Sequence, residues 1–147
     1  MRDFGSYVTL KQLMAPATLT TTPTWSTVDR TQQSFYNGLV FGSWIGIGGI
    51  TFDTNNRIDI TLQHCDDNAT WIAVGVGDVL LATPDANGNV RSLTSAKPAA
   101  DGDPVKVTYI GNKRYVRIRP TFGGTHGTGT LISLIGAFGF AGSLPAA

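Results

Sequence analysis

The chain has 147 residues, enough for one domain with a proper core and too few for two comfortable ones. Its 11 basic and 10 acidic residues leave a net charge of +1, which supplies no global field for holding nucleic acid or an anionic membrane. Charged residues make up 14% of the chain, against about 25% in soluble domains at large, and this low-charge composition suits a protein that lives inside an assembly. The single cysteine, Cys65, excludes an internal disulfide and a Cys-based zinc site built from one chain.

The first 20 residues lack the basic-then-apolar run of a secretion signal, which points to synthesis in a cytoplasm. The least polar segments, Leu39 to Ile50 and Leu131 to Gly142, are broken by glycines and shorter than the ~18 residues of a membrane-spanning helix. Residues 1–24 contain Pro16, Pro23 and a threonine run, a composition that predicts an extended arm, with one possible helical turn near Tyr7 to Met14. Tyr7, Leu10, Leu13 and Trp25 are the arm's candidates for contact with a neighbour.

From residue 25 to 147 the chain is a series of short β-branched and aromatic runs separated by Gly, Asn, Asp and Pro clusters. That spacing predicts an all-β antiparallel sandwich, jelly-roll-like. Phe35 to Ile50 and Thr130 to Phe140 are apolar in both phases, as expected for inner strands. Arg57 to His64 alternates, with Ile58, Ile60 and Leu62 on one side and Arg57, Asp59, Thr61 and Gln63 on the other.

Val105 to Tyr109 and Tyr115 to Phe122 also alternate, and the Gly111-Asn112 pair between them predicts a two-residue β-hairpin. Its second face carries Lys113, Tyr115, Arg117 and Arg119, a cationic stripe with an aromatic in it. Such a stripe can bind a nucleic acid strand, or pair with carboxylates on Asp59 or on another subunit. One short stripe in a near-neutral chain favours the protein partner.

The catalytic signals are thin. His64 and Cys65 are neighbours on a strand and point to opposite faces, so they form no thiol-imidazole pair, and His64 falls in phase with the core. Asp66-Asp67-Asn68 lacks the glycine and downstream Glu of an EF-hand and reads as an Asx turn. The glycine-rich Gly123 to Gly129 has no following Gly-Lys-Ser/Thr, so it reads as an inter-strand loop and not a phosphate cradle. No cofactor, metal or catalytic constellation is expected, and the chain reads as a non-enzyme. Trp25, Trp44 and Trp71 read as core, with a sugar-stacking platform as the alternative that would make this a carbohydrate-binding sandwich.

Two segments carry a resemblance. Ile60 to Trp71, ITLQHCDDNATW, is similar to a Leu-Gln-x-Ser/Cys-Asp-Asp strand and turn, and Tyr109 to Ile118, YIGNKRYVRI, to a Tyr-x-Gly-x-Lys-Arg-Tyr-Val-Arg motif. Both occur, in this order, in small β-sandwich structural proteins of tailed phages encoded near the major capsid gene, and the resemblance spans roughly Val28 to Gly142. Cys65, the Thr/Pro arm and the apolar C-terminal end depart from that pattern. The resemblance implies a capsid decoration or cement protein of the virion surface. Its partners would be the major capsid protein and two further copies of itself in a homotrimer, and its place of synthesis the bacterial host cytoplasm. A tail or head-to-tail connector component is the alternative within the same class.

Overall fold

The computed structural model describes residues 7–32, 38–95 and 99–139. They form ten strands and no α-helix: β1 (Val8–Leu19), β2 (Ser26–Asp29), β3 (Gly38–Gly48), β4 (Arg57–Cys65), β5 (Ile72–Ala73), β6 (Val79–Leu80), β7 (Asn89–Leu93), β8 (Val105–Tyr109), β9 (Tyr115–Gly123) and β10 (Thr130–Gly139). One sheet has the order β1-β10-β3-β8-β6, the other β2-β9-β4-β5 with β7 also on β4, and every pairing is antiparallel. The chain passes back and forth between the sheets, and the interleaved strand orders are those of a jelly roll folded from two Greek keys.

The core lies between the sheets. Leu39, Phe41 and Ile45 of β3 and Ile132, Leu134 and Phe138 of β10 face Ile58, Ile60 and Leu62 of β4 and Val116 and Ile118 of β9, all almost wholly buried. Each such side chain contributes about 1.5–3 kcal/mol by leaving water. The inner positions expected for β3 and β10 are found, although residues 35–37 and 140 of those two runs lie outside the described residues.

Two sequence expectations are corrected. Residues 8–19, read as part of an arm with a possible helical turn, are a full edge strand whose register runs from Val8 opposite Gly139 to Leu19 opposite Thr130. Register shifts between Gln12 and Met14 and between Met14 and Ala17 break its alternation, so the period-2 signal is lost even though Leu13, Met14 and Leu19 pack on the core. Pro16 and the exposed Lys11 blunt its free edge.

The predicted hairpin at Gly111-Asn112 does not form. β8 belongs to one sheet and β9 to the other, so the five residues between them cross the sandwich. A two-residue hairpin turn requires positive φ at both central residues (type I′) or at the first (type II′), and neither Gly111 nor Asn112 has it. The crossover is held by other elements: Ile110 and Gly111 donate their N–H groups to the Asp78 carbonyl (2.7 and 3.1 Å), and Arg30 donates to the carbonyls of Gly111 and Lys113 (both 2.9 Å). Gly111 is required for close approach, because a Cβ there would stand 2.5 Å from the Tyr109 hydroxyl.

Tyr109, fully buried, joins the sheets. Its hydroxyl lies 2.8 Å from His64 Nδ1 on β4 and accepts the Lys113 N–H at 3.2 Å. Which of the two groups carries the bridging proton follows the His64 tautomer, and Nε2 lies 3.9 Å from Asp78 Oδ2. Tyr109→Phe leaves His64 Nδ1 and the Lys113 N–H without this partner, so we expect it to lower the stability derived from urea unfolding by about 1–3 kcal/mol without changing the far-UV spectrum.

Candidate functional site

The sandwich presents two outer faces of opposite character. Register puts Leu10 of β1, Leu131, Ser133, Ile135 and Ala137 of β10, Val40 and Trp44 of β3, and Leu80 of β6 on the outside of the first sheet. Leu10, Leu80 and Leu131 are 71%, 52% and 50% exposed, and Leu81 beside Leu80 is 74% exposed. Among the described strand residues on this face, Lys106 alone is charged. Trp44, Gly46, Pro16 and Leu131 edge a shallow hollow of about 240 Å³.

The outside of the second sheet is polar and cationic. Arg117 and Arg119 alternate with the buried Val116, Ile118 and Pro120 on β9, so their outward phase is as the sequence predicts. The Arg117 guanidinium lies 4.2 Å from the Trp25 ring centroid and 4.0 Å from that of Trp71, while Arg119 lies 4.1 Å from Trp25. Arg117 Nε donates to Gln63 Oε1 at 3.0 Å. Burial lowers both arginines from their ordinary values, and for Arg117 the neighbouring Arg119 charge adds to it.

Asp59, named from sequence as a partner for these arginines, instead accepts from Arg57 Nε at 2.9 Å two residues along its own strand, and Thr121 stands opposite it. The tryptophans are half-buried on outer faces and not in the core, and they form no common platform: Trp44 is on one sheet, Trp25 and Trp71 on the other against Arg117.

The remaining partner-binding candidates are dispersed. Tyr7 precedes β1, Leu10 is on the apolar face and Leu13 packs on the core. Lys113 Nζ is 2.6 Å from Asp66 Oδ2 in the crossover, and the Tyr115 ring lies beneath Arg114, 4.7 Å away. Leu10 therefore lies on the apolar face, whereas Trp25 joins Arg117 and Arg119 on the cationic one.

The carboxylates pin loops. Asp53 Oδ1 accepts the N–H groups of Asn55 and Asn56, Asp67 Oδ1 those of Ala69 and Thr70, and Asp85 Oδ1 those of Asn87 and Asn89. The Asp66-Asp67-Asn68 segment is thus the Asx turn expected of it. Hydrogen bonds from Thr70 and Ala69 bring the Asp67 pKa down to about 2. The Asn56 and Asn55 amides lower that of Asp53, and at Asp85 the Asn89 and Asn87 amides outweigh an opposing effect of burial. Arg91 and Asp101 make a two-pronged pair (3.0 and 3.2 Å), and Asp101 also accepts the Ile45 N–H, tying β7 to β3 across the sandwich. His126, a lone histidine in the glycine-rich loop, is buried between Phe52 and Phe122 with Nε2 2.7 Å from the Gly123 carbonyl. Among the described residues no three His, Cys, Asp or Glu are grouped to hold a metal, and no helix is long and apolar enough to cross a membrane.

No family model matches the chain, and no curated protein matches it. Among solved structures, the SPBc2 prophage-derived protein YomS aligns over 89% of this chain and 91% of its own at 13% identity, with a TM-score of 0.41. A likeness at that score carries no argument, and the strand order and the two faces rest on this chain's own geometry.

Burial holds the His64 pKa below the free value of 6.5, against the pull of Asp78. For His64 and for the lowered carboxylates alike, the unfolded chain is the better proton binder, so protons favour unfolding. Stability is full above pH 6.5 and declines as pH falls, first through His64 and then, below the ordinary carboxyl value of 3.8, through Asp53, Asp67 and Asp85. Urea midpoints taken from pH 7.5 down to pH 3 should show both declines, and His64→Gln should flatten the upper one while leaving the lower.

Proposed function

We propose that this chain is a non-enzymatic virion structural protein that decorates the outside of a tailed-phage capsid and cements its shell. The observation that carries the reading is the outer face of the first sheet: an almost uncharged, partly aliphatic surface on a rigid scaffold, which water alone covers poorly. The paired motifs at Ile60 to Trp71 and Tyr109 to Ile118 support the virion setting, because they resemble those of phage structural proteins. Their structural roles fit such a scaffold: the first supplies β4 and the Asx turn at Asp67, the second the Tyr109 crossover.

Docking of that face on the major capsid protein excludes water from Leu10, Leu131, Trp44 and Leu80 without burying many charges, which keeps the desolvation cost low. A protein that binds the assembled lattice and not its free subunits stabilises the shell by mass action. Three copies about a local three-fold axis add their contacts through effective concentration.

Co-sedimentation with empty mature shells, paired with light-scattering mass of the free protein, tests the reading. Saturable binding in a simple ratio to capsid protein by a monomer or trimer is expected. Leu10→Asp with Leu131→Asp, both at exposed positions, should weaken shell binding about tenfold or more while leaving the urea midpoint within about 0.5 kcal/mol. A large closed ring in solution that ignores shells would refute the cement role and favour a connector.

A further inference from the structure

The second sheet holds a groove of about 390 Å³ on the face opposite the apolar one, walled by Trp25 and Arg119 and floored by Asp59, Thr61, Gln63 and Thr121. That volume falls within the range of small-ligand sites, and a disaccharide unit fits it. Hydrogen bonding inside the groove fixes which groups face outward. Asn89 Nδ2 donates to Asp85 Oδ2 at 2.9 Å, and since a carboxylate only accepts, the amide orientation is set and Asn89 Oδ1 receives the Thr61 hydroxyl at 2.7 Å. Thr61 has then spent its proton, so the 2.9 Å contact with Thr121 is a donation from Thr121 to Thr61. Thr121 Oγ1 is left with acceptor lone pairs.

Gln63 is oriented in the same way. Its Oε1 accepts from Arg117, a donor-only partner, which leaves both protons of its amide nitrogen without a bond to any described residue. Arg119 stacks on Trp25, donates no hydrogen bond to a described side chain or backbone group, and has its Nε buried without a partner. The groove therefore offers a planar cation and an amide donor beside a hydroxyl acceptor and the Asp59 carboxylate, with the indole of Trp25 at the rim.

We infer that this groove binds a saccharide bearing a carboxylate, with Arg119 taking the carboxylate and Gln63, Thr121 and Asp59 taking ring hydroxyls. Sugar hydroxyls both donate and accept at a single atom, which suits the mixed floor, whereas a carboxylate side chain by itself offers acceptors alone and a peptide meets Thr121 and Asp59 only through backbone N–H groups. A polyphosphate is disfavoured because Asp59 is on the floor and Arg57 is already paired with it, so one cation remains for one negative charge. The guanidinium fork matches a carboxylate in two-point geometry, and the Trp25 edge meets the apolar face of a sugar ring. The site lies on the other sheet from the docking face, so it stands or falls independently of the shell reading.

The test is a titration of the full-length protein, followed by the tryptophan indole resonances, with a galacturonic acid tetramer, a sialic acid tetramer, a neutral galactose tetramer and an oligothymidylate. Saturable shifts are expected with at least one of the acidic sugars, with the neutral tetramer about tenfold weaker or more. Arg119→Gln should remove about tenfold of that affinity. Gln63→Glu, which keeps and strengthens the Arg117 contact while placing a negative charge in the groove, should weaken binding comparably in a folded protein, and Leu10→Asp should leave it unchanged. No saturable response to either acidic sugar, equal binding of the neutral tetramer, tighter binding of the oligothymidylate, or insensitivity to both groove variants would overturn the assignment.

Discussion

The hydrogen bond between the Tyr109 hydroxyl and His64 Nδ1 is the contact on which the arrangement of both faces depends. It is a buried polar link between the sheets, and it sits where β8 leaves one sheet and β9 enters the other. A buried phenol and imidazole are costly to leave unmatched, so the pair fixes where the chain crosses. Burial pushes the Tyr109 pKa up to about 12 and the His64 pKa down, so both stay neutral and the bond persists across the physiological range. With the crossover fixed, β9 lies between β2 and β4, and Arg117 and Arg119 are delivered to the outside of the second sheet.

The difference between the faces follows from how each is finished. The first sheet ends in aliphatic side chains and glycines, and among the described residues no further layer covers them. On the second sheet the long excursion between β4 and β8 returns as β5 and β7 along β4, and Trp71, Asn87 and Asn89 on it shelter Arg117, Asp59 and Thr61. This explains why Asp59 and Thr61, read from their alternation as a solvent-facing row, are nearly as buried as the core residues between them.

The parts of the fold legible in the sequence are those whose signal is local. The alternation of β4 and β9 and the two-sided apolar character of β3 and β10 gave inner strands in the right places, and the Asx turns followed from Asp and Asn spacing. What was illegible depends on partners distant in sequence. Gly111-Asn112 has the composition of a hairpin turn, yet its glycine answers to the Tyr109 ring and not to a positive φ. β1 hides behind two register shifts and a proline, and only its pairing with β10 reveals it as a strand. The candidate site was half legible: the arginine stripe could be read, but the tryptophans that flank Arg117 come from before β2 and after β4, and no spacing rule unites them.

The pairing of the first strand with the last has a consequence for how the chain comes into being. A ribosome delivers β1 well before β10, and Val8 cannot meet Gly139 until everything between them has been made. Through that interval β3 also waits for its β10 neighbour, so two apolar strands are exposed together on a nascent chain whose sheets share few sequential hairpins. Closure of the sandwich therefore waits for β10, and Pro16 in β1 and the glycines of β3 disfavour aberrant strand association during the wait.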